Sequence, residues 1–267
     1  MSDSVDHEAQ PPFREEGCRN YGRLVAWLVL VGVLAGLSFA GNALVADDDR
    51  SSPQSSFPGE GNAPSDGIVF PSEPGVTQRD DSLYRYTPAL DGIVVYGVIL
   101  AVLLLIARGP VRREAFALHS PGSWPRTLGL VLVVLVATYV IVVAATLAIG
   151  PDAQPDQGIS DFWDGSRAAQ FALNFAVVAV LVPIVEELMF RGLGFSLLSG
   201  FGPGTAVVAT AFLFGLVHGF VYALPIFVII GLALGWLRMR TGSVYPAMVM
   251  HGMHNAVVLV LAVSLGE

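Results

Sequence analysis

The chain contains no lysine, and charged residues make up only 13% of its 267 residues. All 14 basic residues are arginine, against 22 acidic residues, which gives a formal net charge of −8. Soluble domains average about 25% charged residues. A composition that is 54% hydrophobic, with a mean hydropathy of +0.64, therefore predicts an integral membrane protein. Because the negative charge lies in hydrophilic loops, nucleic acid is excluded as the expected partner.

Cysteine is nearly absent as well. The single Cys18 excludes an internal disulfide and any metal site built on cysteines. No G-x-S-x-G sequence occurs, so Ser196 and Ser199 lack the setting of a serine nucleophile. These absences leave carboxylates and histidines as the candidates for chemistry.

Apolar segments of about 20 residues are long enough to cross a bilayer as helices. The chain has seven such segments, and we predict an all-α, polytopic transmembrane bundle of about seven spans with a polar catalytic cavity in the membrane. The predicted spans are 24–45, 91–107, 127–149, 168–198, 203–221, 222–237 and 243–264.

Three regions follow from this pattern. Residues 1–23 are polar and are predicted to be a disordered cytoplasmic leader. Residues 24–167 hold the first three spans and an acidic external loop at 46–90, which is rich in Pro, Ser, Gly and Asp. Residues 168–264 form the predicted catalytic membrane core.

Arginine in the loops predicts the orientation, because basic loops stay in the cytoplasm. Loop 108–126 carries four arginines, and Arg238 and Arg240 follow the sixth span. We therefore expect a multi-pass protein of the cell membrane with a cytoplasmic N-terminus.

Between Arg167 and Arg238 the only charged residues are Glu186, Glu187 and Arg191. A charge at membrane depth costs about 2.5–3.5 kcal/mol on insertion scales. Glu187 and Arg191 are four residues apart on one helical face and are predicted to form an ion pair. Glu186 then remains as the unpaired carboxylate.

Later spans bring further polar groups to a similar depth. A helix rises 1.5 Å per residue, which places His218 and His251 near the level of Glu186, and Asn255 shares a face with His251. A desolvated glutamate can act as a general base toward water, while a His–Asn pair can bind an oxyanion. Two other hypotheses use the same residues: a zinc site of Glu186, His218 and His251, or a proton relay.

Three ordered motifs resemble the CPBP family of intramembrane proteases, which includes the CAAX prenyl endopeptidases. Residues 186–191 (EELMFR) resemble the E-E-x-x-x-R motif, residues 214–218 (FGLVH) resemble F-x-x-x-H, and residues 251–255 (HGMHN) resemble H-x-x-x-N. The resemblance covers about 168–260 and implies a metal-independent glutamic protease without a cofactor.

The resemblance also implies residue roles. Glu186 and His218 would activate the water, and His251 and Asn255 would form the oxyanion hole. Glu187 and Arg191 would support the site. Glu187 would count among the catalytic residues, and Arg191 would be a supporting residue.

We therefore expect an intramembrane endopeptidase that acts on a membrane-associated peptide or protein, lipid-anchored or not, near the cytoplasmic leaflet and in contact with membrane lipid. The alternatives are a non-enzymatic membrane protein, such as an immunity scaffold or a proton-coupled carrier, and a zinc-dependent version of the same protease.

Overall fold

The computed structural model describes residues 13–51, 81–108, 112–150 and 162–265, and within these ranges the regular elements are all helical. The all-α prediction is confirmed. The helices are α1 Phe13–Ser51, α2 Tyr86–Ile106, α3 Arg112–Ala115, α4 Trp124–Ile149, α5 Gly165–Phe201, α6 Pro203–Val217, α7 Leu224–Thr241 and α8 Tyr245–Leu265. Six are long and apolar enough to cross a membrane, and α6 is a shorter apolar helix. This agrees with about seven spans.

Two helices begin earlier than the sequence pattern indicates. Helix α1 starts at Phe13, so residues 13–23 are helical rather than disordered as predicted. Helix α2 starts at Tyr86 rather than at residue 91. Adding a turn to an existing helix is inexpensive because the costly nucleation step has already occurred. Most of the predicted loop 46–90 lies outside the described residues.

Helix α6 ends at Val217, four residues before the predicted end of the fifth span. Gly219 adopts a left-handed conformation with φ +74°, which stops the helix and favours glycine. A Cβ at this position would also lie only 2.8 Å from the Asn42 side-chain nitrogen. His218 is therefore the residue that caps α6 rather than one inside a span.

Helix α5 contains two π-helical stretches. Its α-helical stretch Val182–Glu187 is flanked by two π-helical stretches, Val177–Leu181 and Leu188–Gly194. Pro183 lies at the junction of the first two and has no N–H to donate to the preceding turn. Single π-helical turns occur frequently at functional sites because they re-aim side chains. Both glutamates of the sequence cluster lie between the two π-helical stretches.

The two ends of the bundle differ in charge. One, which we call the arginine end, carries Arg23, whose guanidinium donates to the carbonyl of Arg108, and the residues Arg113, Arg126, Arg238 and Arg240. At this end the backbone N–H of Val244 also donates to Ala117 O at 3.2 Å, joining the α3 region to the start of α8.

The opposite end, which we call the Tyr84 end, joins the start of α2 to the start of α5. Arg167 bridges Asp81 and Asp164 at 3.0 and 2.5 Å, and its guanidinium lies 5.0 Å from the Tyr84 ring centroid. Hydrogen bonds from Ser166 and Arg167 hold the pKa of Asp164 at about 2. The Asn174 amide donates to the Leu83 and Arg85 carbonyls at 3.0 and 2.7 Å.

Glycines let α6 and α7 approach closely. Gly231 and Gly235 face α6, since a Cβ on Gly231 would lie 2.9 Å from Ala211 Cα and one on Gly235 would lie 3.1 Å from a Val207 methyl group. Small residues at such contacts bring backbones together in membranes.

Replacing Gly231 with alanine tests this contact. We expect Gly231→Ala to lower the free energy of unfolding by about 1–3 kcal/mol, because the new methyl group meets backbone that has no room to move. The control is Gly36→Ala in α1, where a Cβ would meet nothing within 4 Å. Thermal unfolding of the purified protein in detergent measures both, and equal melting temperatures for the two variants would contradict the packing described.

Candidate active site

Glu186 lies near the middle of the bundle and is only 7% exposed. Its Oε1 accepts a hydrogen bond from the Tyr96 hydroxyl at 2.7 Å. Its Oε2 has no hydrogen-bond partner among the described residues and lies 3.9 Å from His251 Nε2. That distance is too long for a direct hydrogen bond. One carboxylate oxygen is therefore held in place, and the other makes no hydrogen bond to the described residues.

Glu187 is fully buried and joins a cation to a histidine. Its Oε1 accepts from the Arg191 guanidinium at 2.9 Å and from His251 Nδ1 at 3.0 Å. Arg191 also donates to the Gly231 carbonyl at 2.8 Å, which anchors it to α7. The predicted Glu187–Arg191 ion pair is confirmed. The contact between Glu187 and His251 was not predicted.

His218 is held by aromatic rings. Its Nδ1 lies 2.7 Å from the Phe214 carbonyl, and because a carbonyl can only accept, Nδ1 is the donor. The imidazole stacks on Phe227 with 3.9 Å between ring centroids and meets the Phe214 ring edge-on at 4.7 Å. In the neutral ring, Nε2 is then an acceptor.

Asn255 is positioned by the π-helical turn of α5. Its amide nitrogen donates to the Val178 carbonyl at 2.9 Å. Pro183, five residues after Val178, has no N–H for a π-helical hydrogen bond to that carbonyl. Gly252 permits the close approach of α8, since a Cβ there would lie 2.7 Å from the Ala179 carbonyl oxygen. One of the two amide hydrogens of Asn255 satisfies this contact, and the second is not needed for it.

A cavity of about 510 Å³ connects these groups. Four of the predicted site residues line it: Glu186, His218, His251 and Asn255. The other two, Glu187 and Arg191, lie behind its wall and contact it only through their neighbours. The remaining lining is mostly apolar, with Val178, Phe214, Phe227, Ile230 and Leu259 among its members.

Two contributors to the site were not identified from the sequence as functional. Tyr96 lies on α2, far from the three motifs, and no local signal marks it. The sequence identified Phe214 only as the first residue of the F-x-x-x-H motif. In the structure its ring contacts His218, and its ring centroid lies 5.6 Å from that of His251 and 4.6 Å from the Arg191 guanidinium carbon. It therefore separates the buried cation from the cavity.

The part of the chain that the structure describes shows no group of three or more His, Cys, Asp or Glu side chains that could hold a metal ion. Glu186, His218 and His251 share the cavity, but they are not arranged as a set of metal ligands. His254, a neighbour of this face, packs its ring 5.3 Å from the Tyr139 ring.

The fold and site define a polytopic helical membrane protein whose buried Glu–His cluster faces an apolar cavity. A comparison with family models matches residues 168–257 to Rce1-like proteins, the type II CAAX prenyl endopeptidases. This segment of the chain is therefore similar to Rce1-like proteins of the CPBP/CAAX protease family, and the similarity supports an intramembrane protease that acts on a membrane-associated peptide or protein. Searches of curated proteins and of solved structures found no match.

Removing the buried cation tests the ion pair. We expect Arg191→Met to lower the free energy of unfolding by about 3–5 kcal/mol, because Glu187 would remain buried without its cation. The double variant Glu187→Gln/Arg191→Met should recover part of the loss. Arg240→Met, at an exposed position, is the matched control. Denaturant unfolding in detergent gives the values, and an Arg191→Met no less stable than Arg240→Met would refute the described role.

Proposed function

We propose that the protein is an intramembrane endopeptidase in which Glu186 activates a water molecule for attack on a peptide bond. The observation that carries this proposal is the state of the Glu186 carboxylate, with one oxygen held by Tyr96 and the other unpaired beside the cavity. A carboxylate in this setting can accept a proton from water as a general base.

The two histidines suit different parts of the reaction. His218 presents an acceptor nitrogen, because its Nδ1–H is used by Phe214. Together with Glu186 Oε2 it can accept both hydrogens of one water molecule, which aligns the oxygen lone pair for attack. His251 donates through Nδ1 to a buried carboxylate. With Nδ1 held in this way, Nε2 lies 3.9 Å from Glu186 Oε2, and when Nε2 also carries a proton it can donate to the oxyanion.

The reaction balances with these groups alone. Glu186 takes a proton from water as the oxygen attacks the peptide carbonyl carbon. The resulting oxyanion is stabilised by His251 and by the second amide hydrogen of Asn255. The proton then passes to the amide nitrogen as the C–N bond breaks, giving a carboxylic acid and an amine. Arg191 has no direct part and holds the Glu187 side chain in place through their ion pair.

The lining favours an apolar substrate segment, since most side chains around the cavity are hydrocarbon. We further propose that the N-terminus is cytoplasmic and that the protein lies in the cell membrane. Support comes from the arginine end, because basic residues are retained on the cytoplasmic side.

Glu186→Gln is the direct test of the proposed chemistry. The substitution keeps size and the hydrogen bond from Tyr96 but removes the base, so we expect cleavage to fall by about 100-fold or more. Quantitative proteomics of new peptide termini in membranes from cells expressing either form measures this. Glu114→Gln, at an exposed position, should leave the termini unchanged. Both variants should unfold at the wild-type temperature.

The alternatives predict other outcomes of the same comparison. A Glu186→Gln variant that keeps its full biological effect would favour a scaffold or carrier. Chelation with 1,10-phenanthroline should leave the termini unchanged. Cleavage that is lost on chelation and restored by zinc would favour the zinc-dependent version of the protease.

A further inference from the structure

Much of the cavity lining lies between Glu186 and the Tyr84 end. From Glu186 it passes along α2 to Pro88, Leu83 and Ser82, and along α8 to Val258 and Leu259. Tyr96, at the site, lies ten residues after Tyr86, the first residue of α2. At the rise of an α-helix this separation is about 15 Å, which is the length of the cavity between the site and the Tyr84 end. Pro88 is exposed, so the lining reaches the surface of the molecule at that end.

Packed side chains close the opposite direction. Behind Glu186 come Glu187 and Arg191, both 0% exposed. Trp27 follows, with its indole N–H donating to the Met189 carbonyl at 3.0 Å. The ring of Phe116 lies against Gly192, where a Cβ would meet it at 3.0 Å. None of these residues lines the cavity.

We propose that the substrate reaches Glu186 from the Tyr84 end, so that the enzyme cleaves segments presented at the extracytoplasmic face. This inference rests on the proposed function for the cleavage and on the arginine end for the orientation. It differs from the expectation of cleavage near the cytoplasmic leaflet. Depth estimates placed the site in the membrane, but only the packing shows which end of the bundle is closed.

Thiol labelling tests this access without any substrate. In a Cys18→Ser background, Val258→Cys places a thiol on the cavity wall, three residues beyond Asn255. Ser199→Cys places a thiol at an exposed position next to the start of α6, at the arginine end. The probe is a membrane-impermeant methanethiosulfonate, applied to intact cells and to inside-out vesicles.

We expect the Val258→Cys thiol to be labelled in intact cells, and the Ser199→Cys thiol only in inside-out vesicles. Labelling of Val258→Cys only in the vesicles would overturn the proposal, and so would no labelling from either side. Because labelling does not require proteolysis, an inactive but correctly labelled protein would contradict the proposed function and leave the access route intact.

A separate observation concerns Tyr96, which lies outside the family match and outside the three motifs. Its hydroxyl is the partner of Glu186 Oε1 at 2.7 Å. We infer that Tyr96 is a positioning residue, which fixes the carboxylate so that Oε2 faces the cavity. In the described part of the chain this hydroxyl makes no hydrogen bond other than the one to Glu186.

Infrared difference spectroscopy of the purified protein tests this role. The bands of the Glu186 carboxyl group are assigned by their loss in Glu186→Gln. Tyr96→Phe should shift these bands, because the carboxyl group loses a hydrogen bond. Tyr139→Phe, whose hydroxyl lies 3.5 Å from the His254 carbonyl, should leave them in place. Unshifted bands in Tyr96→Phe, or equal shifts in both variants, would overturn the assignment.

Discussion

The buried carboxylate of Glu187 is the group on which the site depends. It has no access to the cavity, yet one of its oxygens accepts hydrogen bonds from Arg191 and His251. An isolated charge at this depth would be neutralised or expelled. The guanidinium pairs with it, and the carboxylate in turn fixes the orientation of His251 by accepting from its Nδ1. Helices α5, α7 and α8 are joined at this point, because Arg191 also donates to the Gly231 carbonyl.

The two adjacent glutamates, Glu186 and Glu187, therefore lie in different environments. Glu187 lies behind the cavity wall, where its Oε1 accepts from Arg191 and His251 and its Oε2 has no hydrogen-bond partner among the described residues. Glu186, one residue earlier, turns toward a cavity where its second oxygen lacks a protein partner. Two carboxylates next to each other in sequence can thus have different tasks, which is a common way for enzymes to separate a reacting group from a supporting one. The π-helical turns on either side of the pair help to set these directions.

Much of this site follows from the sequence. The rarity of charge between Arg167 and Arg238 identified the cluster, and the rise of an α-helix brought His218 and His251 to its level. The i, i+4 spacing predicted the ion pair. Tyr96 was not predictable, because its contact depends on how α2 packs against α5 and no pattern in its own segment indicates that packing. The end of α6 at Val217 was missed because the apolar run continues past Gly219, whose conformation stops the helix. The closed arginine end depends on the packing of Trp27 and Phe116, which lie on elements distant in sequence.

The central claim is that Glu186 holds the reacting water. An experimental structure in lipid nanodiscs, at a resolution that shows ordered water, tests it most directly. The account predicts a water molecule within hydrogen-bond distance of Glu186 Oε2 and of a histidine Nε2 in the cavity. A metal ion bound to Glu186, or a protein group paired directly with Oε2 in place of water, would contradict it.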